Sequence, residues 1–186
     1  MVTPERLAKV HGYQTNRLPF VIAVINMSKE MNIGSLLRTA HAGAARELLL
    51  IGEPSYNTYA AATADRWTDV NYLETPTDLI AWTQQEQMDL VAVEHEDRAV
   101  GLFEATYPGR PVFVLGAEKL GVPREVLDAA KLIVQIPQWG LVPSLNVAAA
   151  GSIVIYDFIA KLAGARSCAP VPPDLAALRA LADQRH

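Results

Sequence analysis

The chain has 186 residues, of which 51% are hydrophobic and 19% charged. This composition predicts a globular domain with a sizeable core and excludes a disordered chain. The net charge of −4 is uneven, because residues 1–50 carry six basic and three acidic side chains whereas residues 51–110 carry three basic and eleven acidic ones. Such a chain is not a nonspecific polyanion binder, so any nucleic-acid contact is expected to be local and to involve the N-terminal quarter.

Cysteine and histidine are too sparse for the usual metal frameworks. Cys168 is the only cysteine, which excludes an intrachain disulfide, and the four histidines are scattered along the sequence. We therefore expect no metal site. Because the apolar runs are too short to span a bilayer and the N-terminus lacks a signal-peptide pattern, we also expect a cytoplasmic protein without a membrane partner.

Short apolar runs alternate with helical patterns along most of the chain. The helical patterns lie near residues 33–45, 57–66, 76–87 and 123–130. This alternation predicts an α/β fold with a parallel sheet covered on both faces. The apolar runs predict strands at 20–25, 47–52, 70–73, 89–94, 111–116 and 131–136.

The last apolar segment is too long for a strand. Residues 144–162 contain no helix breaker other than Gly151, so their length favours a helix. Its nearly continuous apolar surface predicts burial in the core or against a second subunit. The composition of residues 164–173 predicts a linker, and the pattern of residues 174–185 predicts a short amphipathic helix. We therefore divide the chain into an N-terminal extension (1–19), a main domain (20–163), and a linker with a short helix (164–186).

Three stretches combine a strand end, a loop and a helix start. The first, "NMSKEMNIGSLLRTAHAGAA" (26–45), carries Asn32 at the turn and Arg38 on the following helix. The free N–H groups of such a helix entrance can hold an anion. On its own, an ordinary capped helix with a surface arginine is the simpler interpretation.

The second stretch is "VFVLGAEKLGVPREVL" (112–127), in which a buried strand is followed by Gly116, Glu118 and Gly121. Glycines at the carboxyl end of a parallel strand let a ligand approach the backbone closely. The spacing is not that of a phosphate-binding P-loop, and the chain has no G-x-G-x-x-G. A tight turn without a function explains the pattern equally well.

The third stretch is "IPQWGLVPSLNVAAA" (136–150). Its prolines and glycine predict an irregular loop, after which Ser144 is predicted to cap the helix and Asn146 to lie in the first turn. A capped helix with no further role is again the alternative. Taken together, however, the three stretches would emerge at the same edge of a parallel sheet. They lack a Ser-His-Asp set, so positioning and group transfer are favoured over hydrolysis.

These stretches resemble, in order and spacing, the three signature motifs of the SpoU/TrmH family, a branch of the SPOUT RNA methyltransferases. "NIGSLLRTA" resembles the first motif, "VLGAEKLGV" the second and "IPQWGLVPSLNVAAA" the third, so that the resemblance covers residues 20–162. It implies a parallel-sheet α/β-knot with a C-terminal deep trefoil knot, which is an exception to the general absence of knots. It also implies a homodimer, S-adenosylmethionine as cofactor, and methyl transfer to a ribose 2′-hydroxyl of a structured tRNA or rRNA.

The resemblance further implies roles for individual residues. Arg38 matches the catalytic arginine, and we expect it to pair with a phosphate and stabilise the forming alkoxide, because its pKa is too high for a free base. Asn32 would position Arg38 or the ribose, and Glu118 would orient Arg38 or its neighbours. Ser144 and Asn146 match the polar pair of the third motif. The positions expected to hold the cofactor are Leu115, Gly116, Gly121, Ile136 and Leu145.

The sequence departs from the family pattern at Lys119, Gln138, Trp139 and Pro143, which puts the pocket shape and substrate choice in question. One alternative to the enzyme is a knotted dimer that binds RNA or cofactor without catalysis. Another is an unrelated nucleotide-binding α/β enzyme. Basic residues of the N-terminal extension either touch phosphates or form a solvated tail, namely Arg6, Lys9, His11 and Arg17.

Overall fold

The computed structural model describes residues 4–26, 30–117, 120–142 and 144–164. The strands found within these residues are β1 (Leu18–Asn26), β2 (Ala45–Gly52), β3 (Asp69–Leu73), β4 (Asp89–Val93), β5 (Val100–Gly101), β6 (Pro111–Leu115) and β7 (Leu132–Gln135). The helices are α1 (Pro4–Thr15), α2 (Glu30–Ala42), α3 (Thr58–Ala61), α4 (Pro76–Gln85), α5 (Arg124–Ala129) and α6 (Val147–Leu162).

The strands form one sheet in the order β3-β2-β1-β6-β4-β7-β5, and every pairing in it is parallel. This confirms the predicted α/β fold, and each of the six predicted strands is present. The two-residue strand β5 was not predicted, because two residues are too few to produce an apolar pattern. The central strand β6 is buried along its whole length, as expected for a strand with parallel neighbours on both sides and both faces covered.

Both faces of the sheet are covered by apolar clusters. On one face, Phe158 of α6 packs edge-to-face against Phe20 of β1 and Phe113 of β6, with ring centroids 5.5 Å apart in both pairs. On the other face, Leu79 of α4 and Val126 of α5 are fully buried in a second cluster. Burying each of these large side chains contributes about 1.5–3 kcal/mol, so the two clusters anchor their helices to the sheet.

The predicted helix over 57–66 is broken in two. The helix α3 ends at Ala61, and a 3₁₀ turn follows at Ala64–Arg66. Ala62 and Thr63, which lie between them, have positive φ angles of 46° and 70°. Residues in the left-handed region cannot continue a right-handed helix, so the break has a backbone cause.

The last described helix, α6, starts later than predicted, and Ser144 is not its cap. Asn146 is the N-cap, because its side-chain oxygen accepts hydrogen bonds from the N–H groups of Ala148 (2.9 Å) and Ala149 (3.3 Å). Ser144 lies two residues further upstream, in the loop. The predicted linker over 164–173 lies outside the described residues except for Gly164, and the predicted helix over 174–185 lies wholly outside them.

The N-terminal extension folds into the helix α1 instead of forming a tail. Tyr13 and Thr68 share a hydrogen bond of 3.0 Å, and both contact Nδ1 of His41 on α2, at 2.9 and 3.2 Å. Burial, and then the charge of Arg17, lower the pKa of His41, so that its ring is neutral at physiological pH. The Arg17 guanidinium donates to the carbonyl oxygens of Arg46 (2.8 Å) and Trp67 (2.6 Å).

Arg17 therefore has a structural role, and the interpretation as a solvated tail is wrong for this residue, whereas a phosphate contact stays a prediction. Lys9 and His11 are exposed on α1. The side chain of Arg6 lies outside the described part of the chain. No helix among residues 4–26, 30–117, 120–142 and 144–164 is long and apolar enough to cross a bilayer.

Gly34 and Gly12 provide a matched test of the packing around α2. A Cβ atom on Gly34 would lie 2.6 Å from the backbone oxygen of Asn57, whereas a Cβ on Gly12 would meet no atom within 4 Å. We expect Gly34→Ala to lower the free energy of unfolding by about 1–2 kcal/mol, since overpacking outweighs the gain in helix propensity. Gly12→Ala should raise it by about 0.5–1 kcal/mol. Urea denaturation checks both values, and equal effects would contradict the packing.

Candidate active site

A cleft of about 500 Å³ opens at the carboxyl edge of the sheet. This volume lies within the range of ligand pockets, roughly 300–1,000 Å³. A side lobe of about 120 Å³ continues past the end of β7, where Ile136 and Gln138 line it. The main lobe is lined by Val93, Glu94, Leu115, Gly116, Ala117, Gly121, Ser144, Leu145, Asn146, Val147 and Ala150. The five positions expected to hold the cofactor therefore all line one lobe or the other.

Backbone forms one wall of this cleft, because Gly116 and Gly121 leave no room for side chains. Ala117 and Gly121 pair through two backbone hydrogen bonds of 3.2 and 2.8 Å, which close the loop that follows β6. A Cβ atom on Gly116 would lie 2.2 Å from the carbonyl carbon of Gly121. Gly121 itself has a φ of 65°, a conformation that favours glycine. Close backbone packing thus fixes the shape of the loop that lines this side of the cleft.

One amide connects the first and third motifs. The side-chain nitrogen of Asn146 donates a hydrogen bond of 2.8 Å to the side-chain oxygen of Asn32 on α2. The orientation of the Asn146 amide follows from its cap, since its oxygen accepts from the N–H groups of Ala148 and Ala149. The structure thus brings two of the predicted catalytic residues together, although 114 positions separate them.

The other predicted catalytic residues are placed differently. Ser144 lines both lobes of the cleft. Arg38 is exposed on α2, does not line either lobe, and has no hydrogen-bond or ion-pair partner within the described part of the chain. Glu118 lies outside the described residues, as do the departures Lys119 and Pro143. Trp139 is 86% exposed in the loop between β7 and α6.

Glu94 is a polar residue of the cleft that sequence reasoning missed. One carboxylate oxygen accepts the N–H of Val122 (2.8 Å) and the other accepts the N–H of His95 (2.9 Å). The apolar run predicts a strand over 89–94 that includes residue 94, whereas β4 ends at Val93. An acidic residue at the carboxyl end of a predicted parallel strand was the signal that could have identified it.

A metal site receives no support from the geometry. In the ranges that the structure covers, no three His, Cys, Asp or Glu side chains are grouped so that they could hold an ion. The polar groups of the cleft are a carboxylate, an amide, a hydroxyl and peptide groups, which suit hydrogen bonding to an organic ligand. By fold and site, this is a parallel α/β protein with a backbone-walled ligand cleft at the carboxyl edge of its sheet.

The sequence model of the SpoU rRNA Methylase family matches residues 19–156, and the chain belongs to that family. It is 29% identical over 160 residues to the tRNA (guanosine(18)-2′-O)-methyltransferase of Escherichia coli K12, covering 84% of this chain and 70% of that protein. The family resemblance read from the three motifs is thereby confirmed. An unrelated nucleotide-binding enzyme is excluded as the alternative.

Solved structures share the fold. The TrmH/SpoU tRNA modifying enzyme of A. aeolicus superposes with a TM-score of 0.78 at 22% identity, over 99% of this chain and 98% of that one. The SpoU methyltransferase AviRb of Streptomyces viridochromogenes, solved in complex with the cofactor AdoMet, superposes with a TM-score of 0.69 at 19% identity, over 80% and 62%. At such identities the likeness establishes the architecture alone.

Substitutions of Asn146 separate its role as a helix cap from its bond to Asn32. Asn146→Ala removes both, and we expect it to lower the free energy of unfolding by about 1 kcal/mol. Asn146→Asp keeps an oxygen for the cap but loses the N–H donor, so its stability should stay close to that of the wild type. Thermal or urea unfolding measures the difference. If the aspartate variant were as unstable as the alanine variant, the bond to Asn32 and not the cap would carry the stability.

Proposed function

We propose that this protein is an S-adenosylmethionine-dependent RNA methyltransferase that methylates a ribose 2′-hydroxyl of a structured tRNA or rRNA. The observation that carries the proposal is the backbone-walled cleft beside the Asn32–Asn146 pair, in a chain that belongs to the SpoU rRNA Methylase family. The E. coli relative is named for 2′-O methylation of guanosine 18 in tRNA. Transfer RNA is therefore the first substrate class to test.

The cleft fits S-adenosylmethionine. AviRb, which shares the fold, was solved with this cofactor. The volume of about 500 Å³ is sufficient for a ligand of that size, and the loop around Gly116 and Gly121 lines the cleft without bulky side chains. Leu115, Ile136 and Leu145 offer apolar contact for a nucleobase. When bound, the cofactor supplies an electrophilic methyl group.

The side chains around the cleft supply positioning and charge. Asn32 is held by Asn146, which lines the cleft, and we assign it the role of orienting a ribose hydroxyl or Arg38. Arg38 would pair with an RNA phosphate and stabilise the alkoxide, since a guanidinium remains charged at any working pH. We assign Ser144 a hydrogen-bonding role in the cleft, and we propose for Glu118 the orienting role that its motif implies.

The proposal includes a homodimer and a knot. On α6, Ile153 is 39% and Tyr156 52% exposed, and such exposed apolar side chains on a helix whose other face is buried support a second copy packing there. The chain leaves β7 beyond β4 and returns with α6 against α2 and β6, a route compatible with a C-terminal trefoil knot. We propose a cytoplasmic location, because the proposed tRNA or rRNA substrates are found there. We also propose that Lys9 and His11 contact RNA phosphates.

Cofactor binding can be tested with two glycines of the site loops. A Cβ atom on Gly116 would collide with the backbone of Gly121 and Val122, whereas a Cβ on Gly140 would meet nothing within 4 Å. We expect Gly116→Ala to weaken S-adenosylmethionine binding at least tenfold, roughly the effect of one overpacked contact. Gly140→Ala should bind as the wild type does. Calorimetry measures both, and unchanged affinity in Gly116→Ala would place the cofactor elsewhere.

Catalysis can be tested at Arg38. We expect Arg38→Ala to lower kcat for methyl transfer by roughly 10²–10³-fold, as the loss of one donor to a developing anion does, while cofactor affinity stays unchanged. The kcat of Arg38→Lys should lie between those of the wild type and Arg38→Ala, because an ammonium group keeps the charge but lacks the planar pair of donors. Arg124→Ala is the matched control, since Arg124 lines neither lobe of the cleft and pairs with Glu96 and Asp128.

The same kinetics decide between enzyme and binding protein. Full activity of Arg38→Ala would contradict the assigned role of Arg38. A wild-type protein that binds cofactor and RNA but transfers no methyl group to any tRNA or rRNA would favour the inactive binding protein.

A further inference from the structure

Glu94 occupies a distinctive place in the cleft. It lies on the wall shared by the main lobe and the side lobe. Among the described residues that line the main lobe, it is the only one with a formal charge. A carboxylate in a partly enclosed cleft affects a charged ligand more than it would in open water, because the surroundings screen it less.

The carboxylate is fixed in place by the protein. Its two oxygens accept the N–H groups of Val122 and His95, so the loop after β6 and the turn after β4 both orient it. Gly121 packs directly against it, since a Cβ atom there would lie 2.5 Å from one carboxylate oxygen. An ionised carboxylate has about four acceptor positions, and the two backbone N–H groups use two of them. No other group among the described residues takes the remaining positions, which leaves them for a ligand in the cleft.

The charge of Glu94 is not neutralised by a neighbouring cation in the described parts of the chain. Its neighbour Glu96 differs in this respect, because Glu96 forms ion pairs with Arg98 (3.5 Å) and Arg124 (3.2 Å). The two acids therefore sit on one short turn, one paired at the surface and the other held by backbone N–H groups beside the cleft. The main lobe thus carries a net negative field from its described lining.

We propose that Glu94 is a specificity-determining residue that makes the cleft prefer the positively charged cofactor over its neutral product. This inference rests on the proposed function. S-adenosylmethionine carries a sulfonium charge, and S-adenosylhomocysteine has a neutral thioether in its place. A fixed carboxylate in the cleft stabilises the first ligand and gives the second no comparable attraction. Glu94 thereby favours exchange of product for fresh cofactor.

The test compares three ligands by calorimetry on the whole protein. These are S-adenosylmethionine, S-adenosylhomocysteine, and sinefungin, in which an amino group restores a positive charge near the sulfur position. We expect Glu94→Gln to weaken binding of the two cationic ligands by about tenfold while changing S-adenosylhomocysteine binding much less. Glu94→Asp keeps the charge and should retain the preference in part. Glu96→Gln is the control and should leave the preference unchanged.

The outcomes distinguish a failure of the charge-selection proposal from a failure of the proposed function. If Glu94→Gln weakens all three ligands equally, Glu94 only supports the loop, and the charge-selection proposal is wrong while the proposed function stands. If the Glu94→Gln variant does not fold, Glu94→Asp provides the test. Loss of the preference for the cationic ligands, although the charge is retained, would overturn the proposal. If the wild type binds none of the three ligands, the proposed function itself fails.

Discussion

The insertion of β6 between β1 and β4 determines where the chemistry can occur. On one side of β1 lie β2 and then β3, which follow it in the chain. On its other side lie β6, β4 and β7. Because all pairings are parallel, the loops after β1, β4, β6 and β7 emerge at one edge. Open parallel sheets bind ligands at the carboxyl ends of their strands, and the cleft lies between the ends of β4 and β6 and the start of α6. Residues of the second and third motifs thus line one cleft, and Asn32 of the first motif bonds to Asn146 in its wall.

A few residues at this edge determine the shape of the site. Gly116 and Gly121 let two backbone segments approach more closely than any side chain would permit, which fixes the loop that lines the cleft. Asn146 starts α6 and holds Asn32, so the same amide fixes a helix and a polar group of the site. Glu94 orients the loop after β6 from the neighbouring strand. The site is therefore built from backbone and hydrogen bonds, with its walls fixed by packing of the sheet.

The sheet was predictable because buried parallel strands produce continuous apolar runs, and all six runs became strands. The helix α1 was not predicted, because Tyr13 joins it to the domain through polar contacts with His41 and Thr68. Such contacts leave no apolar periodicity in the sequence. The choice of Asn146 over Ser144 as the cap could not be decided locally, because both residue types cap helices. The bond from Asn146 to Asn32 is a tertiary contact, and it favours the later start. Glu94 was missed because the end of β4 was placed one residue too late.

The central claim is that the methyl group goes to ribose. The most direct measurement is to incubate the protein with S-adenosylmethionine carrying an isotope-labelled methyl group and unmodified tRNA, digest the RNA completely to nucleosides, and identify the labelled product by mass spectrometry. We expect the label on a 2′-O-methylribonucleoside, at one position of the RNA. Label on a nucleobase, in the presence of the intact Asn32 and Asn146 pair, would contradict the assigned reaction.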